Sequence, residues 1–319
     1  MNARDFLRLP AEEVARLVQA AGSHVCAFPI NGTRRWYWLE YPAEAAAGSS
    51  EHYLRASAQR LVEVYQLFFD HGFQTLLVPV FGPDLLARGD DYMQSVVGQG
   101  LRWFARDEPL WDLCRAYEVR VRVYGDARRY LCGTAYARDL EAFEEAAETH
   151  TGGCSRRRLF FGVCAHDPTE RVAEIGAEFF RLHGRVPSRR EVVEAYYGEY
   201  VEPVSLFIGF ERPAAFDMPL LATGNEDLYF TVCPSLSIDA PTLRAILYDH
   251  LFARRIDESD YSALHSDDWQ LLADFYRLNR GHVLGLGFAW GQQHVWCPLP
   301  QVTLPARLAA MAAAQVGDP

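Results

Sequence analysis

Apolar residues recur along the chain in two spacings that take turns. Residues 10–21, PAEEVARLVQAA, put Val14, Leu17 and Val18 on one helical face, with Pro10 at the start and Gly22 just beyond the end. Residues 24–30, HVCAFPI, form a short apolar and partly β-branched run that reads as a strand, closed by Asn31-Gly32. Behind a cap at Ser49 or Ser50, Leu54, Ala58, Leu61, Val62, Tyr65 and Phe68 keep helical spacing up to Gly72. QTLLVPVF at 74–81 is then a second strand, Asp90-Asp91 open a helix running through Phe104, and VRVRVY at 119–124 alternates as a third strand. Further on, the pattern predicts a helix over 140–149, a loop over 152–158, a strand over 159–165, and helices over 170–183 and 187–200, the latter capped by Ser188. Strands at 206–210 and 228–232, helices at 241–255 and 267–278, and a last apolar strand at 283–288 complete the series.

Helices alternating with strands that are mostly continuous apolar runs define an α/β chain with a mostly parallel central sheet flanked by helices on both faces. Residues 1–303 read as a single domain, followed by an Ala-rich tail at 304–319. In sheets of this kind ligands gather at the carboxyl ends of the strands, and the Asn31 turn occupies such an end.

Composition narrows the function. With 319 residues, half of them hydrophobic, the chain can bury one large core, and a net charge of -11 argues against a broad nucleic-acid or acidic-membrane surface. Any anion must therefore be held by local arginines. The seven cysteines include no Cys-x-x-Cys pair, and Cys26, Cys164 and Cys233 sit within apolar runs, as expected for reduced core thiols in the cytoplasm. No apolar run reaches membrane-spanning length, so no integral membrane segment is expected. Several motifs fail on inspection. Asp90-Asp91 is followed by Gln94 where an Asp-Asp-x-x-Asp magnesium site needs a carboxylate, His265-Ser266-Asp267-Asp268 lacks the first acid of Asp-x-Asp-Asp, and Gly285, Gly287 and Gly291 have the wrong spacing for a dinucleotide loop.

The stretch around the first turn carries chemistry. Asn31, Gly32 and Thr33 can aim backbone N–H groups at an anion, and Arg34 and Arg35 add two permanently charged forks suited to phosphate oxygens. The same composition also describes a solvated loop, and spacing alone does not choose between them. Chemistry that expels a phosphate leaving group needs that group held beside a dry pocket. Trp36, Trp38, Tyr53 and Phe81 could supply aromatic faces to a carbocation, although each is equally a core aromatic.

The Asn-Gly-Thr-Arg-Arg-Trp turn after the first strand resembles the Asp-Gly-Asn-Gly-Arg-Trp turn of cis-prenyltransferases such as undecaprenyl diphosphate synthase. It is more similar still to the Asp-Gly-Thr-Arg-Arg-Trp turn of the tuberculosinol synthase and tuberculosinyl adenosine transferase group. The likeness extends over most of the chain, through HYLRASAQRLVEVYQLFFDHG (52–72), DLLARGDDY (84–92), REVVEAYYGEYV (190–201), FIGFERPAAFDMPLL (207–221), LYFTVCPS (228–235) and LRAILYDHLFARR (243–255). The resemblance implies a cis-prenyltransferase-like fold and a homodimeric diterpene synthase, a carbon-oxygen lyase that ionises a bicyclic labdane- or halimane-type C20 prenyl diphosphate to an olefin or alcohol. Terpenyl transfer to a nucleoside such as adenosine, or non-catalytic binding of a prenyl diphosphate, are the alternatives.

The resemblance further implies that Arg34 and Arg35, with Gly32 and Thr33, hold and activate the diphosphate, that Tyr53 and the residue at 31 act in catalysis, that Trp36 and Phe81 line the pocket, and that Mg²⁺ assists. Two departures stand out. Asn31 replaces the family's Asp, and an amide binds Mg²⁺ less well and cannot usefully accept a proton. The Arg-x-x-x-x-x-Arg-x-Ser stretch that holds isopentenyl diphosphate in cis-prenyltransferases is replaced by ATGNEDLYF, in which Asp227 falls where those enzymes have a metal-binding Glu.

Overall fold

The computed structural model describes residues 1–82, 98–254, 261–292, 295–299 and 303–316. Among them, six parallel strands form the central sheet: β1 (Val25–Ala27), β2 (Thr75–Phe81), β3 (Val119–Tyr124), β4 (Arg157–Val163), β5 (Leu206–Phe210) and β6 (Asp227–Thr231), in spatial order β3-β4-β2-β1-β5-β6. β1 is thus central, paired with β2 from Val25↔Thr75 and with β5 from Cys26↔Leu206.

Both faces of the sheet are covered, as the continuous apolar strands require. Neighbouring residues on one strand point to opposite faces, and they enter two separate cores. Leu76, Val78, Phe161, Leu206 and Ile208 join Phe28, Phe68 and Trp111 on one side, under the helices Ser50–Asp70 and Glu108–Tyr117. Leu77, Phe160 and Phe207 join Tyr124, Val193 and Tyr197 on the other, under the helix Arg189–Tyr197. That helix opens with a capping box in which Ser188 and Glu191 exchange backbone bonds, as the Ser188 cap predicted. Ser49 likewise caps the long helix, its hydroxyl accepting from the His52 amide.

Some expectations change. The apolar run at 283–288 does not form a sheet strand: Gly285 turns the chain at φ +93°, and Gly287–Trp290 pairs antiparallel with Val295–Pro298 in a separate hairpin. The helix expected over 241–255 ends early, at Tyr248, and continues as a π-helical turn over Asp249–Ala253. The Ala-rich tail is helical over Ala306–Val316. The helix start at Asp90-Asp91 and the 84–92 run lie outside the described residues, which take up the chain again with the helix Gln99–Arg106.

Gly72 ends the long helix at φ +100°, and a Cβ there would lie 2.7 Å from the Ala15 carbonyl oxygen of the helix Ala11–Ala20. Gly72→Ala should therefore lower unfolding stability by about 2–4 kcal/mol, combining backbone strain with a backbone clash. Chemical denaturation measures this, and an unchanged midpoint would mean that the Ala11–Ala20 helix can move away without loss.

Candidate functional site

β1 passes into the site without a break in its hydrogen bonding. Phe28 and Ile30 donate to the Leu77 and Pro79 carbonyls at 2.8 and 2.9 Å, so the chain stays extended up to Asn31. Asn31 is then bracketed by Ser235: its amide donates to the Ser235 hydroxyl at 3.0 Å, its carbonyl accepts from the Ser235 amide at 3.2 Å, and the same hydroxyl donates to the Pro29 carbonyl at 2.9 Å. Gly32 adopts φ +74°, and a Cβ there would lie 2.8 Å from the Phe210 ring, so only glycine fits the turn.

Beyond the turn, Thr33–Glu40 is a helix, which the polar and aromatic string TRRWYWLE did not announce. Trp36 donates to the Gly32 carbonyl, which leaves the amides of Thr33, Arg34 and Arg35 without acceptors inside their own helix. Both arginines occupy the first turn, at the positive end of the helix dipole, where cationic side chains are disfavoured and an anion is favoured. Arg35 donates to Glu211 at 2.6 Å, and its guanidinium lies 4.6 Å from the centre of the Phe210 ring. Glu211 follows β5 directly and holds φ +63°.

Arg34 lines a cavity of about 330 Å³ together with Tyr37, Trp38, Tyr53, Leu54 and Gln99. The Tyr53 and Thr33 hydroxyls share a hydrogen bond of 2.7 Å, and the Tyr53 ring packs edge-on to Tyr37 at 5.3 Å. Past Ser50, Leu54 and Gln99, which border both spaces, the cleft continues into a larger cavity of about 790 Å³ between the helices Ser50–Asp70 and Gln99–Arg106. Ala58, Trp103 and Asp107 line it, with Arg55, Arg102 and Arg106. Glu51 and Glu108 line it as well, so that its three arginines stand against three carboxylates.

The predicted site residues thus separate. Asn31, Gly32, Thr33, Arg34, Arg35 and Tyr53 come together. Trp36 does not join the walls of these two cavities: it is 4 % exposed and packs in the core against Tyr41, while the neighbouring Trp38 takes the cavity wall. Phe81 is also in the core, beneath Gly100, and likewise lines neither. Asp227 opens β6 level with Leu206, at the opposite end of the sheet from the turn, and is engaged elsewhere. Its Oδ2 bonds His250 Nδ1 at 2.6 Å, and His250 Nε2 bonds the Ser23 hydroxyl at 2.6 Å. This has the order of a catalytic triad, but Ser23 is 4 % exposed, so the chain of bonds ties β1, β6 and the C-terminal helical turn together. Among the described residues no group of three or more His, Cys, Asp or Glu could hold a metal ion. Mg²⁺ takes one or two protein carboxylates and completes its shell with substrate phosphates and waters, and the carboxylate of Glu211 is bound to Arg35.

Glu211, Ser235 and Asp107 were missed by sequence reasoning. Glu211 did leave a trace, because a carboxylate directly after the apolar run LFIGF stands at a strand's carboxyl end.

The sheet order and the place of the turn after β1 are those of a cis-prenyltransferase fold. Lavandulyl diphosphate synthase from Lavandula x intermedia, solved with dimethylallyl diphosphate, superposes with a TM-score of 0.58 over 73 % of this chain and 96 % of its own, at 14 % identity. A probable undecaprenyl diphosphate synthase from Campylobacter jejuni superposes at 0.51 over 73 % and 97 %, at 10 % identity. No family model matches the chain. The chain belongs to the tuberculosinyl adenosine transferase family: it is 38 % identical over 289 residues to that enzyme from Mycobacterium tuberculosis, covering 90 % of this chain and 95 % of the relative. A (+)-kolavelool synthase from Herpetosiphon aurantiacus is 26 % identical over 298 residues, 92 % and 94 % of the two chains. By their names, one relative transfers a tuberculosinyl group to adenosine and the other makes (+)-kolavelool.

Burial, and then the neighbouring Glu108, push the Asp107 carboxyl up to about 6. A carboxyl raised on folding keeps its proton where the unfolded chain has lost it, so stability falls as pH rises from about 4 to about 6. Asp107→Asn should remove this slope, gaining on the order of 2 kcal/mol over wild type at pH 7 compared with pH 4.5. Thermal melts of both proteins across that window measure it, and parallel curves would contradict the expectation.

Proposed function

We propose that this chain is a diterpene synthase that ionises a bicyclic labdane- or halimane-type C20 prenyl diphosphate, giving an olefin or alcohol plus diphosphate. The observation that carries the reading is the pair Arg34 and Arg35 at the amino end of the Thr33–Glu40 helix, beside the Thr33–Tyr53 hydroxyl pair and at the mouth of a cleft. The diphosphate oxygens accept from the first-turn amides and both guanidinium groups. The allylic C–O bond breaks heterolytically, and both bonding electrons leave with the diphosphate, whose new charge the arginines neutralise. The cation left behind faces the aromatic wall of Tyr53 and Trp38, which attracts it through their π-faces.

A proton is then lost from a carbon beside the cationic centre. The base is the released diphosphate, which takes the proton directly or through the hydroxyl pair: Tyr53 accepts it while passing its own proton to Thr33 Oγ1, and Thr33 passes its own to a diphosphate oxygen. Asn31 cannot take this proton, because an amide is not a usable base, and its backbone groups are occupied by Ser235. On this reading the main product is an olefin with a conjugated diene side chain.

A second reading has the cation captured by a nucleoside such as adenosine. It is favoured by the higher identity to the transferase, 38 % against 26 % for the synthase. Ionisation is common to both.

Products of copalyl and related bicyclic diphosphates, incubated in ¹⁸O-labelled water with and without adenosine, separate the readings by mass spectrometry. An unlabelled olefin is expected in both incubations. A C20-adenosine adduct would establish the second reading, and a labelled alcohol as main product would overturn the olefin assignment. Arg34→Ala and Arg35→Ala should each raise the barrier by about 2–4 kcal/mol, or roughly 30- to 1000-fold in rate, with the fold kept. Diphosphate release is the readout, and wild-type rates in both variants would sink the anion site.

A further inference from the structure

The larger cavity carries a feature that ionisation does not use. Asp107 is 8 % exposed and lines this space, yet its Oδ2 is buried with no protein hydrogen-bond partner. The ordinary task of an Asp at a helix start is capping. Asp107 is indeed the N-cap residue of Glu108–Tyr117, but it makes no side-chain cap bond, and Pro109 removes one of the amides it could have served. Trp103 lines the same cavity one helical turn earlier, and its Nε1 is also buried without a partner. Asp107 caps the end of the helix that carries Trp103, and both line the one cavity. Tyr65, whose hydroxyl is buried and unpartnered too, lies close enough for the Asp107 charge to raise it further, after burial itself.

An ionised carboxylate oxygen only accepts hydrogen bonds and an indole N–H only donates. A hydroxyl does both, and one hydroxyl between the two groups would satisfy each. The cleft runs from Arg34 through Gln99, and Trp103 and Asp107, four and eight residues on, lie about 6 and about 12 Å further along it at a rise of about 1.5 Å per residue. That distance suits the ring end of a substrate whose diphosphate sits at Arg34 and Arg35.

We propose that Asp107 and Trp103 form a hydroxyl-binding subsite at the hydrocarbon end of the cleft, which selects a bicyclic C20 diphosphate carrying an alcohol on its ring system. The alcohol donates to Asp107 and accepts from Trp103. This assignment rests on the diphosphate site at Arg34 and Arg35. A partner that leaves two buried polar groups unpaired is rejected more strongly than one that merely misses a methylene.

Calorimetric titration tests the subsite apart from turnover, with two bicyclic C20 diphosphates that differ only in a tertiary ring hydroxyl. Wild type should bind the hydroxylated compound about 10- to 100-fold more tightly, the range of one or two hydrogen bonds with a charged acceptor. Asp107→Leu and Trp103→Phe, each checked by a cooperative thermal melt, should bring the two affinities together. Equal affinities in wild type would overturn the subsite, as would a preference that survives in both variants. Adenosine binding that depends on Asp107, without any preference between the diphosphates, would overturn its assignment to the terpenyl group. Diphosphate release is measured on the same samples. If a preference is found but nothing is released, the ionisation reading fails while the subsite stands.

Discussion

The site depends on Ser235 gripping both backbone groups of Asn31. With its amide and carbonyl both held and Pro29 tied by the same hydroxyl, the chain must leave the central strand in one direction, and Gly32 then has only the left-handed conformation open to it against Phe210. From that point the helix Thr33–Glu40 can start only where it does. Its first-turn amides and two arginines are therefore fixed at the carboxyl edge of the sheet by backbone geometry, before any ligand arrives. Preorganised donors of this kind need no rearrangement when charge develops on a leaving group.

A division of labour runs along the long helix Ser50–Asp70. Its first turn brings Tyr53 to Thr33, its next turns wall the cleft with Leu54 and Ala58, and its distal half buries Leu61, Val64 and Phe68 in the core. One amphipathic element thus connects the arginine mouth, the cleft and the sheet, and the capped start at Ser49 sets the register of all three.

The sheet was legible because parallel strands covered on both sides are written as unbroken apolar runs, and Asn31-Gly32 marked the turn. Less legible were the features that depend on contacts between distant segments. TRRWYWLE has no apolar stripe of helical period, and it is helical because the turn before it and the helix Ser50–Asp70 hold it in place. Glu211 reaches Arg35 across 176 residues of chain, and no local pattern encodes that pairing. Trp36 was the expected pocket residue, yet two positions on a helix point to different sides, so Trp36 went to the core and Trp38 to the cavity. Asp227 was placed by its neighbours in sequence, whereas it opens its strand at the end of the sheet away from the turn. Asp107 drew no notice in the sequence, because an acid before a helix is common there.

The Arg35–Glu211 contact gives the empty site a resident counter-ion. A guanidinium already satisfied at 2.6 Å gains little by exchanging one carboxylate for another singly charged anion. A doubly or triply charged group that can also take the helix amides and Arg34 gains on every side. On the proposed reading the carboxylate competes with an incoming anion for Arg35 and takes it back when the diphosphate leaves, so that binding and release at this arginine are an exchange of ions instead of the exposure of a bare cation.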